Sequence, residues 1–291
     1  MFKGSMVALI TPFRGQAVDE TGFQKFVDWQ IEQGTEAVVP CGTTGESPTL
    51  SHAEHNRVIE LCVEVAKGRV PVIAGTGSNS TAEAIDLTRH AKESGADAAL
   101  IVTPYYNKPS QEGLYQHFKA IHDAVELPII IYNIPGRCVI DMSVATMARL
   151  AKLPNIVGVK DATNDLARPL RTRAAIGRDF AMLSGEDVTA LAFLANGGDG
   201  CISVTANVAP RACADMHKAW RKGDAAAAMR INERLAPLHD ALFVETSPAP
   251  IKYACSLLDK SSPDVRLPLA PASAQAQETV RQAMRAAGVL N

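Results

Sequence analysis

The sequence has few aromatic residues, 5% of its 291 positions, and no two cysteines in a C-x-x-C pair. Its six cysteines are scattered at positions 41, 62, 138, 201, 213 and 255. This spacing does not match the common zinc and redox motifs. In a chain of this length without an export signal, scattered cysteines are typical of a reducing compartment. We therefore expect free thiols and a cytoplasmic location.

Long hydrophobic runs and runs of like charge are also missing. No stretch approaches the roughly 18 apolar residues of a membrane helix. The apolar run 6–10 stops before Pro12 and is too short for the core of a signal peptide. The formal net charge is −2, whereas nucleic-acid-binding proteins need a concentrated basic surface. We expect neither a membrane span nor a nucleic-acid partner.

The sequence does contain eight short apolar segments, each followed by turn residues. They are rich in β-branched residues, and most are nearly continuous rather than alternating, as expected of parallel strands covered on both faces. The segments are 6–12, 36–42, 70–77, 98–106, 127–135, 155–161, 180–187 and 199–205.

Segments with helical spacing lie between these strands. Phe23, Phe26 and Val27 form one apolar stripe. Ser51 with Glu54, and Ser80 with Glu83, predict helix starts through capping boxes. Glycines stand where the helices should end, at Gly34, Gly68, Gly95, Gly177 and Gly223.

The alternation predicts an α/β fold, a (β/α)8 TIM barrel over residues 1–223. A doubly wound sheet is the competing fold, but it would usually bring a glycine-rich phosphate turn after the first strand, and here that strand ends in TPF. Residues 224–291 contain only helical patterns, at 224–244, about 248–259 and 276–290. We expect a C-terminal helical region packed on the barrel.

The carboxyl ends of barrel strands converge on one mouth, and Lys160 stands at one of them. A strand-end lysine often extends into solvent along its aliphatic stem. Alternatively, it is held in an apolar pocket, where burial disfavours the charged amine and leaves a nucleophile for a carbonyl group. The pattern alone leaves both interpretations open.

Four other polar residues at these strand ends also allow two interpretations. Tyr132 suits either the core or proton transfer beside Lys160. Thr43 and Thr44 either cap a helix or, among glycines, bind a carboxylate. Arg137 is either a surface residue or the partner of a second carboxylate.

The remaining candidates are less specific. Tyr105 and Tyr106 suit rim packing or a subunit interface. His52 and His55 lie three residues apart, but no further cluster of potential ligands completes a metal site, so we expect solvated helix residues and no metal.

Four motifs together resemble the class I aldolase superfamily of N-acetylneuraminate lyases and dihydrodipicolinate synthases. They are GTTGE at 42–46, VTPYYN at 102–107, YNIPGR at 132–137 and GVKDAT at 158–163. The similarity extends over essentially the whole chain. Within the superfamily, the chain most resembles the lysine-inhibited bacterial dihydrodipicolinate synthases, and Arg137 favours them because the sialic-acid lyases lack this arginine.

The resemblance implies a role for each matching residue. Lys160 forms an imine with pyruvate, so no cofactor is needed. Tyr132, Thr43 and Tyr106 form a proton relay, in which Tyr106 comes from a neighbouring subunit of a homotetramer. The residues implied in substrate binding are Thr44 near the pyruvate carboxylate, Arg137 for the carboxylate of L-aspartate-4-semialdehyde, and Gly185 and Ile202 in the pocket lining.

The resemblance also implies a lysine effector site at a subunit interface. The matching positions are Ser47, His52, His55, Asn79, Glu83 and Tyr105. Two residues depart from the family pattern. Pro48 stands where lysine-sensitive enzymes have a small residue, and Ser247 stands where asparagine is frequent.

The implied reaction is the condensation of pyruvate with L-aspartate-4-semialdehyde to 4-hydroxy-tetrahydrodipicolinate, in the diaminopimelate route to lysine. Another pyruvate-dependent aldolase or lyase with the same imine chemistry is the nearest alternative. A non-catalytic member of the superfamily is a further one, although such a protein would normally have lost Lys160 or Tyr132.

Overall fold

The computed structural model describes residues 2–291, and within them eight parallel strands form a barrel. A separate antiparallel hairpin is formed by β2 and β3, each of two residues. The strands are β1 (Gly4–Ala8), β2 (Phe13–Arg14), β3 (Ala17–Val18), β4 (Ala37–Val39), β5 (Ile73–Gly75), β6 (Ala98–Val102), β7 (Ile129–Asn133), β8 (Ile156–Asp161), β9 (Ala181–Ser184) and β10 (Gly200–Ser203).

The strand order is β4-β1-β10-β9-β8-β7-β6-β5, and a single bridge between Val38 and Val72 joins its two ends. The backbone N–H of Val38 donates to the carbonyl of Pro71 at 3.0 Å at this junction. The predicted (β/α)8 barrel is therefore confirmed. The strands are shorter than the apolar segments because several segments run on into the loops at the mouth.

Helices cover the outside of the barrel, and the C-terminal helices continue that layer. Within residues 2–291 they are α1 (Glu20–Glu32), α2 (His52–Ala66), α3 (Thr81–Glu93), α4 (Gln111–Ala124), α5 (Pro135–Cys138), α6 (Val144–Leu150), α7 (Arg168–Ile176), α8 (Ala190–Ala195), α9 (Pro210–Arg221), α10 (Ala225–Ala241), α11 (Ala249–Ser256) and α12 (Ala274–Ala286).

Local signals set the helix ends as predicted, with one exception. Ser51 and Glu54 form a complete capping box at the start of α2. Ser80 accepts from the Glu83 backbone at the start of α3, but the Glu83 side chain turns away to other partners. The five glycines predicted at helix ends all have positive φ, the conformation that lets a helix stop.

The core has two layers, one inside the barrel and one between the barrel and the helices. The inner layer contains Met6, Ile130, Tyr132, Leu183 and Ile202. The alternation of side chains along each strand divides the apolar residues between these layers. This double coverage explains why the strand segments are nearly continuous in apolar residues.

In the C-terminal region, α10 packs against α9 and α12, and α11 packs against α12. The domain boundary at residue 223 stays a prediction. Among the helices of residues 2–291, none combines the length and apolar character that a bilayer crossing requires.

Candidate active site

Lys160 and Tyr132 are directly opposite each other on the adjacent strands β8 and β7. Their side chains are 5% and 6% exposed, so Lys160 does not extend into solvent. The Lys160 Nζ lies 4.1 Å from the centroid of the Tyr132 ring. The interpretation of Lys160 as a strand-end lysine that reaches water is therefore wrong, and the amine lies against the phenol ring inside the barrel.

The residues that follow this pair fix the two strand ends from the other side of the sheet. Asn133 donates to Asp141 at 2.7 Å, and Arg168 donates to the same carboxylate at 3.0 Å. Arg168 also lies 3.3 Å from Asp161, and Thr163 donates to Asp161 at 2.7 Å. Because Asn133 and Asp161 alternate with Tyr132 and Lys160, this partly buried network holds the amine and the phenol in register.

Gly185 packs directly against the Lys160 side chain. A Cβ at this position would lie 2.7 Å from the Ala162 Cβ and 3.2 Å from the Lys160 Cε. The Gly185 N–H donates to the carbonyl of Asp161 at 2.7 Å. The loop after β9 can therefore approach the lysine closely only because residue 185 has no side chain.

Thr43 and Thr44 lie on a tight loop after β4. The N–H of Gly45 donates to Gly42 and the N–H of Glu46 donates to Thr43, both at 3.1 Å. Glu46 adopts a left-handed conformation with φ of 56°. The loop turns Thr43 toward the mouth, whereas Thr44 is buried at 5% exposure.

A cavity of about 380 Å³ opens at this mouth and joins the two sets of predicted residues. Its wall includes Thr43, Tyr132 and Arg137 from the catalytic and substrate set, and Ser47, His52, His55, Glu83 and Tyr105 from the effector set. Lys160 adjoins the cavity through the Tyr132 ring, which lies on the wall. A small molecule in this cavity therefore meets groups from both sets.

Arg137 lies on the short helix α5, directly after β7. One of its Nη atoms lies 3.5 Å from the backbone carbonyl of Ser247, which is buried. Burial raises the pKa of the nearby Glu186 carboxyl, and the positive charges of Lys160 and Arg137 oppose that shift. Lys160 and Arg137 therefore both lie near this carboxyl group.

The predicted effector residues form one side of the cavity, which we call the effector wall, and its central residue is Glu83. Ser78 donates a hydrogen bond to this carboxylate, and the His52 Nε2 lies 2.9 Å from its other oxygen. The Ser78 hydrogen bond, more than the His52 contact, lowers the pKa of Glu83. Burial and the charge of Glu83 raise the pKa of Tyr105. Glu83 is therefore an anion in a polar pocket that suits an ammonium group.

His55 is a buried member of this wall. Its Nε2 lies 2.9 Å from the carbonyl of Gly75, and burial lowers its pKa to about 4. The ring is therefore neutral at pH 7 and donates its Nε2 proton to that carbonyl.

Six predicted residues are not part of the cavity wall: Lys160, Thr44 and Gly185, described above, and Tyr106, Ile202 and Asn79. Tyr106 is 88% exposed in the loop after β6, with φ of 68°. Ile202 is fully buried in the inner core. Asn79 contributes its backbone carbonyl, which accepts from the Asn107 side chain at 2.9 Å.

Three further residues contribute to the site without having been predicted. Cys138 lines the cavity beside Arg137, and Ser78 bonds to Glu83. Lys252 forms a buried ion pair with Glu46. Glu46 comes directly after the loop of Thr43 and Thr44, which we call the threonine loop. No periodicity or short motif marks these residues. Ser78 is only five residues from Glu83, whereas Lys252 is 206 positions from Glu46. The described residues contain no group of three or more His, Cys, Asp or Glu side chains that could hold a metal ion.

Together, the fold and the site define a (β/α)8 barrel enzyme with a buried amine, a phenol and a guanidinium group at its mouth. Comparison with known proteins narrows this class. The model of the dihydrodipicolinate synthetase family matches residues 1–287. The 4-hydroxy-tetrahydrodipicolinate synthase of Rhodospirillum centenum is 70% identical over 290 residues, which cover 100% of both chains.

Solved structures give the same result. The chloride-inhibited dihydrodipicolinate synthase of Acinetobacter baumannii, complexed with pyruvate, is 49% identical with a TM-score of 0.97 and full coverage of both chains. The enzyme of Cyanidioschyzon merolae with lysine bound is 40% identical, with a TM-score of 0.97 and 99% coverage of both chains. The chain belongs to the dihydrodipicolinate synthetase family. It is an enzyme, a lyase with 4-hydroxy-tetrahydrodipicolinate synthase activity.

Proposed function

We propose that the chain condenses pyruvate with L-aspartate-4-semialdehyde through an imine on Lys160. The observation that carries this proposal is the buried Lys160 amine, 4.1 Å from the ring centre of Tyr132 at the edge of the cavity. The pyruvate complex of the A. baumannii relative supports the choice of the first substrate.

The first half of the reaction activates pyruvate. The Lys160 Nζ attacks the ketone carbon, and the resulting carbinolamine loses water while Tyr132 transfers the protons. The protonated imine draws electrons from the methyl carbon, which loses a proton to give an enamine. Because the imine is the electron sink, the proposed reaction uses no metal or organic cofactor.

The second half forms the carbon–carbon bond. The enamine carbon attacks the aldehyde carbon of the semialdehyde, and the aldehyde oxygen takes up a proton. The amino group of the semialdehyde then displaces Lys160 by transimination, which closes the ring and frees the enzyme. Arg137 holds the carboxylate of this substrate at the cavity mouth, since a guanidinium pairs with a carboxylate through two parallel hydrogen bonds.

The other predicted residues have supporting roles in this proposal. Thr43 passes protons between Tyr132 and Tyr106 of a second copy, consistent with the exposed ring of Tyr106. Thr44 and the main chain of Gly185 and Ile202 shape the site around the pyruvate adduct. This arrangement requires at least a dimer, and we propose a homotetramer that works in the cytoplasm.

The experiment that tests the reaction is an aldehyde panel. The protein is incubated with pyruvate and, separately, with L-aspartate-4-semialdehyde, succinate semialdehyde and N-acetylmannosamine. We expect rapid loss of the aspartate semialdehyde and formation of the cyclic product, with Arg137→Ala raising KM for this substrate. Preferential consumption of the sugar would instead assign another aldolase activity.

We further propose that free lysine inhibits the enzyme by binding at Glu83. The anionic, partly buried carboxylate faces the cavity beside His52 and Tyr105, and lysine is bound to the C. merolae relative. Glu83→Ala should weaken inhibition by lysine. Glu93→Ala, at the exposed far end of the same helix, is the matched control. Unchanged inhibition in Glu83→Ala would place the effector elsewhere.

A further inference from the structure

A fully buried ion pair connects the threonine loop to the C-terminal region. The Lys252 Nζ lies 2.6 Å from the Glu46 Oε1, and both side chains are 0% exposed. Burial lowers the pKa of Lys252, against the effect of the Glu46 charge. A buried ion pair seldom adds stability over well-packed apolar residues, because desolvation of both charges offsets their attraction. The pair therefore points to a geometric role rather than a purely stabilising one.

Arg266 adds a second connection to the same segment. Its backbone N–H donates to the other oxygen of Glu46 at 3.0 Å. Its guanidinium group donates to both oxygens of Glu54, at 2.8 and 2.6 Å, and to the carbonyl of Thr49 at 2.9 Å. Hydrogen bonds from Arg266 lower the pKa of Glu54 to about 2, so this carboxylate is charged in the native enzyme.

The ring of Phe13 contacts both cations, Lys252 and Arg266. The Lys252 Nζ lies 3.9 Å from the centre of this ring, and the Arg266 Cζ lies 4.4 Å from it. Phe13 is itself buried at 1% exposure. The ring restricts where both cations can sit, so the positions of Glu46 and Glu54 are fixed by rigid partners.

The two carboxylates lie on either side of a segment that carries part of the site. Glu46 follows the loop of Thr43 and Thr44 and holds a left-handed conformation. Glu54 completes the capping box that begins α2, the helix that carries His52 and His55. The C-terminal region therefore holds the segment 42–54 near both of its ends.

We propose that Lys252 and Arg266 are positioning residues for catalysis, which hold the Thr43 hydroxyl at its working distance from Tyr132 through Glu46 and Glu54. This inference rests on the proposed role of Thr43 in proton transfer. The barrel alone would then form the imine site but would leave the threonine loop poorly fixed. A small displacement of such a group costs turnover more than it costs substrate binding.

The test is a double variant, Glu46→Gln with Lys252→Met, which removes both charges and keeps similar side-chain volumes. We expect kcat to fall about 10- to 100-fold, as is typical for a misplaced catalytic group. KM for pyruvate should change less than about threefold, because the imine site is intact. Borohydride should still trap pyruvate on Lys160. The matched control is Glu36→Gln with Arg221→Met, an ion pair before β4 at the opposite end of the barrel, with wild-type kcat expected.

Arg266 provides a second test that does not depend on the buried pair. Arg266→Ala should lower kcat with little change in KM, and Arg266→Lys should recover part of the loss because it restores the charge near Glu54. If the double variant fails to fold, this pair of variants decides the question. A folded double variant with wild-type kcat, or Arg266→Ala with wild-type kcat, would overturn the inference. Absence of a trapped adduct in the wild-type enzyme would instead refute the proposed function.

Discussion

At the residue scale, two buried lysines differ in what surrounds them. Lys252 lies 2.6 Å from Glu46, so its ammonium has a fixed partner. Lys160 lies against the face of the Tyr132 ring and has no ion-pair partner among residues 2–291. An amine without an ion-paired carboxylate loses its proton more readily, and only the unprotonated amine can attack a carbonyl carbon. The contrast explains why we assign the chemistry to Lys160 and a positioning role to Lys252.

Tyr132→Phe tests the role of the phenol at the same scale. The ring stays in place under Lys160, but proton transfer to and from the carbinolamine is lost. We expect kcat to fall about 10²- to 10⁴-fold, the range of a general acid–base group. Steady-state turnover of the semialdehyde measures this loss. Tyr115→Phe is the control, because Tyr115 packs under Arg149 on the outer helix layer. Equal activity of Tyr132→Phe and wild type would rule out the phenol as the proton carrier.

At the scale of elements, the strand ends decide where each functional group lies. The register of β7 and β8 sets Tyr132 opposite Lys160, and the network of Asn133, Asp161 and Arg168 holds that register from outside. The loops then add groups around this fixed pair. A substitution in a loop that packs directly against the pair should therefore lower turnover.

Gly185→Ala tests this expectation. The new Cβ would come within 2.7 Å of the Ala162 Cβ and 3.2 Å of the Lys160 Cε, so the loop or the lysine has to move. We expect a loss of turnover of at least about tenfold, because shifts of an ångström at a reacting group are costly. Gly136→Ala is the control, because a Cβ there meets no atom within 4 Å. Wild-type turnover in Gly185→Ala would mean that the packing against Lys160 has no catalytic role.

Several of these elements could be predicted because their signals are local. Continuous apolar segments predicted the barrel strands, Ser51 with Glu54 predicted the start of α2, and glycines predicted helix ends. The capping box predicted from Ser80 and Glu83 is only half formed, because Ser80 accepts from the Glu83 backbone but the Glu83 side chain does not return to Ser80. Glu83 has the right spacing, but Ser78 and His52 compete for its carboxylate. Local spacing could not reveal partners that come together only in the fold.

At the scale of the whole molecule, the sequence could not show what joins the two ends of the chain. Lys252 is 206 positions from Glu46, and Arg266 lies in a proline-rich stretch that reads as a connection between helices. Such contacts follow from tertiary packing alone. The resemblance of four motifs predicted a catalytic site at the mouth of the barrel, but it carried no information on Lys252 and Arg266, the cations that contact Glu46 and Glu54.

Buried histidines make the stability of the whole molecule depend on pH. Burial lowers the pKa of His217 to about 4, whereas the unfolded value is about 6.5. Between these values the unfolded chain binds more protons, so the free energy of unfolding falls as the pH is lowered through this window. His217 alone should contribute a loss of about 2 kcal/mol between pH 7 and pH 5.

Urea unfolding of wild type and His217→Gln at both pH values measures this effect. The variant should lose less stability on acidification, by roughly the contribution of one histidine. Glu54 contributes equally in both proteins, and its stabilisation is lost only as the pH falls below its unfolded pKa of 4.5 toward its native value of about 2. The same pH dependence in both proteins would contradict the account of His217.

Trapping of the pyruvate imine is the most direct test of the central claim, that Lys160 is the nucleophile. Wild type, Lys160→Ala and the exposed-site control Lys152→Ala are treated with pyruvate and borohydride, and the adduct is located by peptide mass spectrometry. We predict a reduced pyruvate adduct on Lys160 in wild type and in Lys152→Ala, and no adduct in a folded Lys160→Ala. An adduct on another lysine in wild type, or one that persists in Lys160→Ala, would contradict the mechanism.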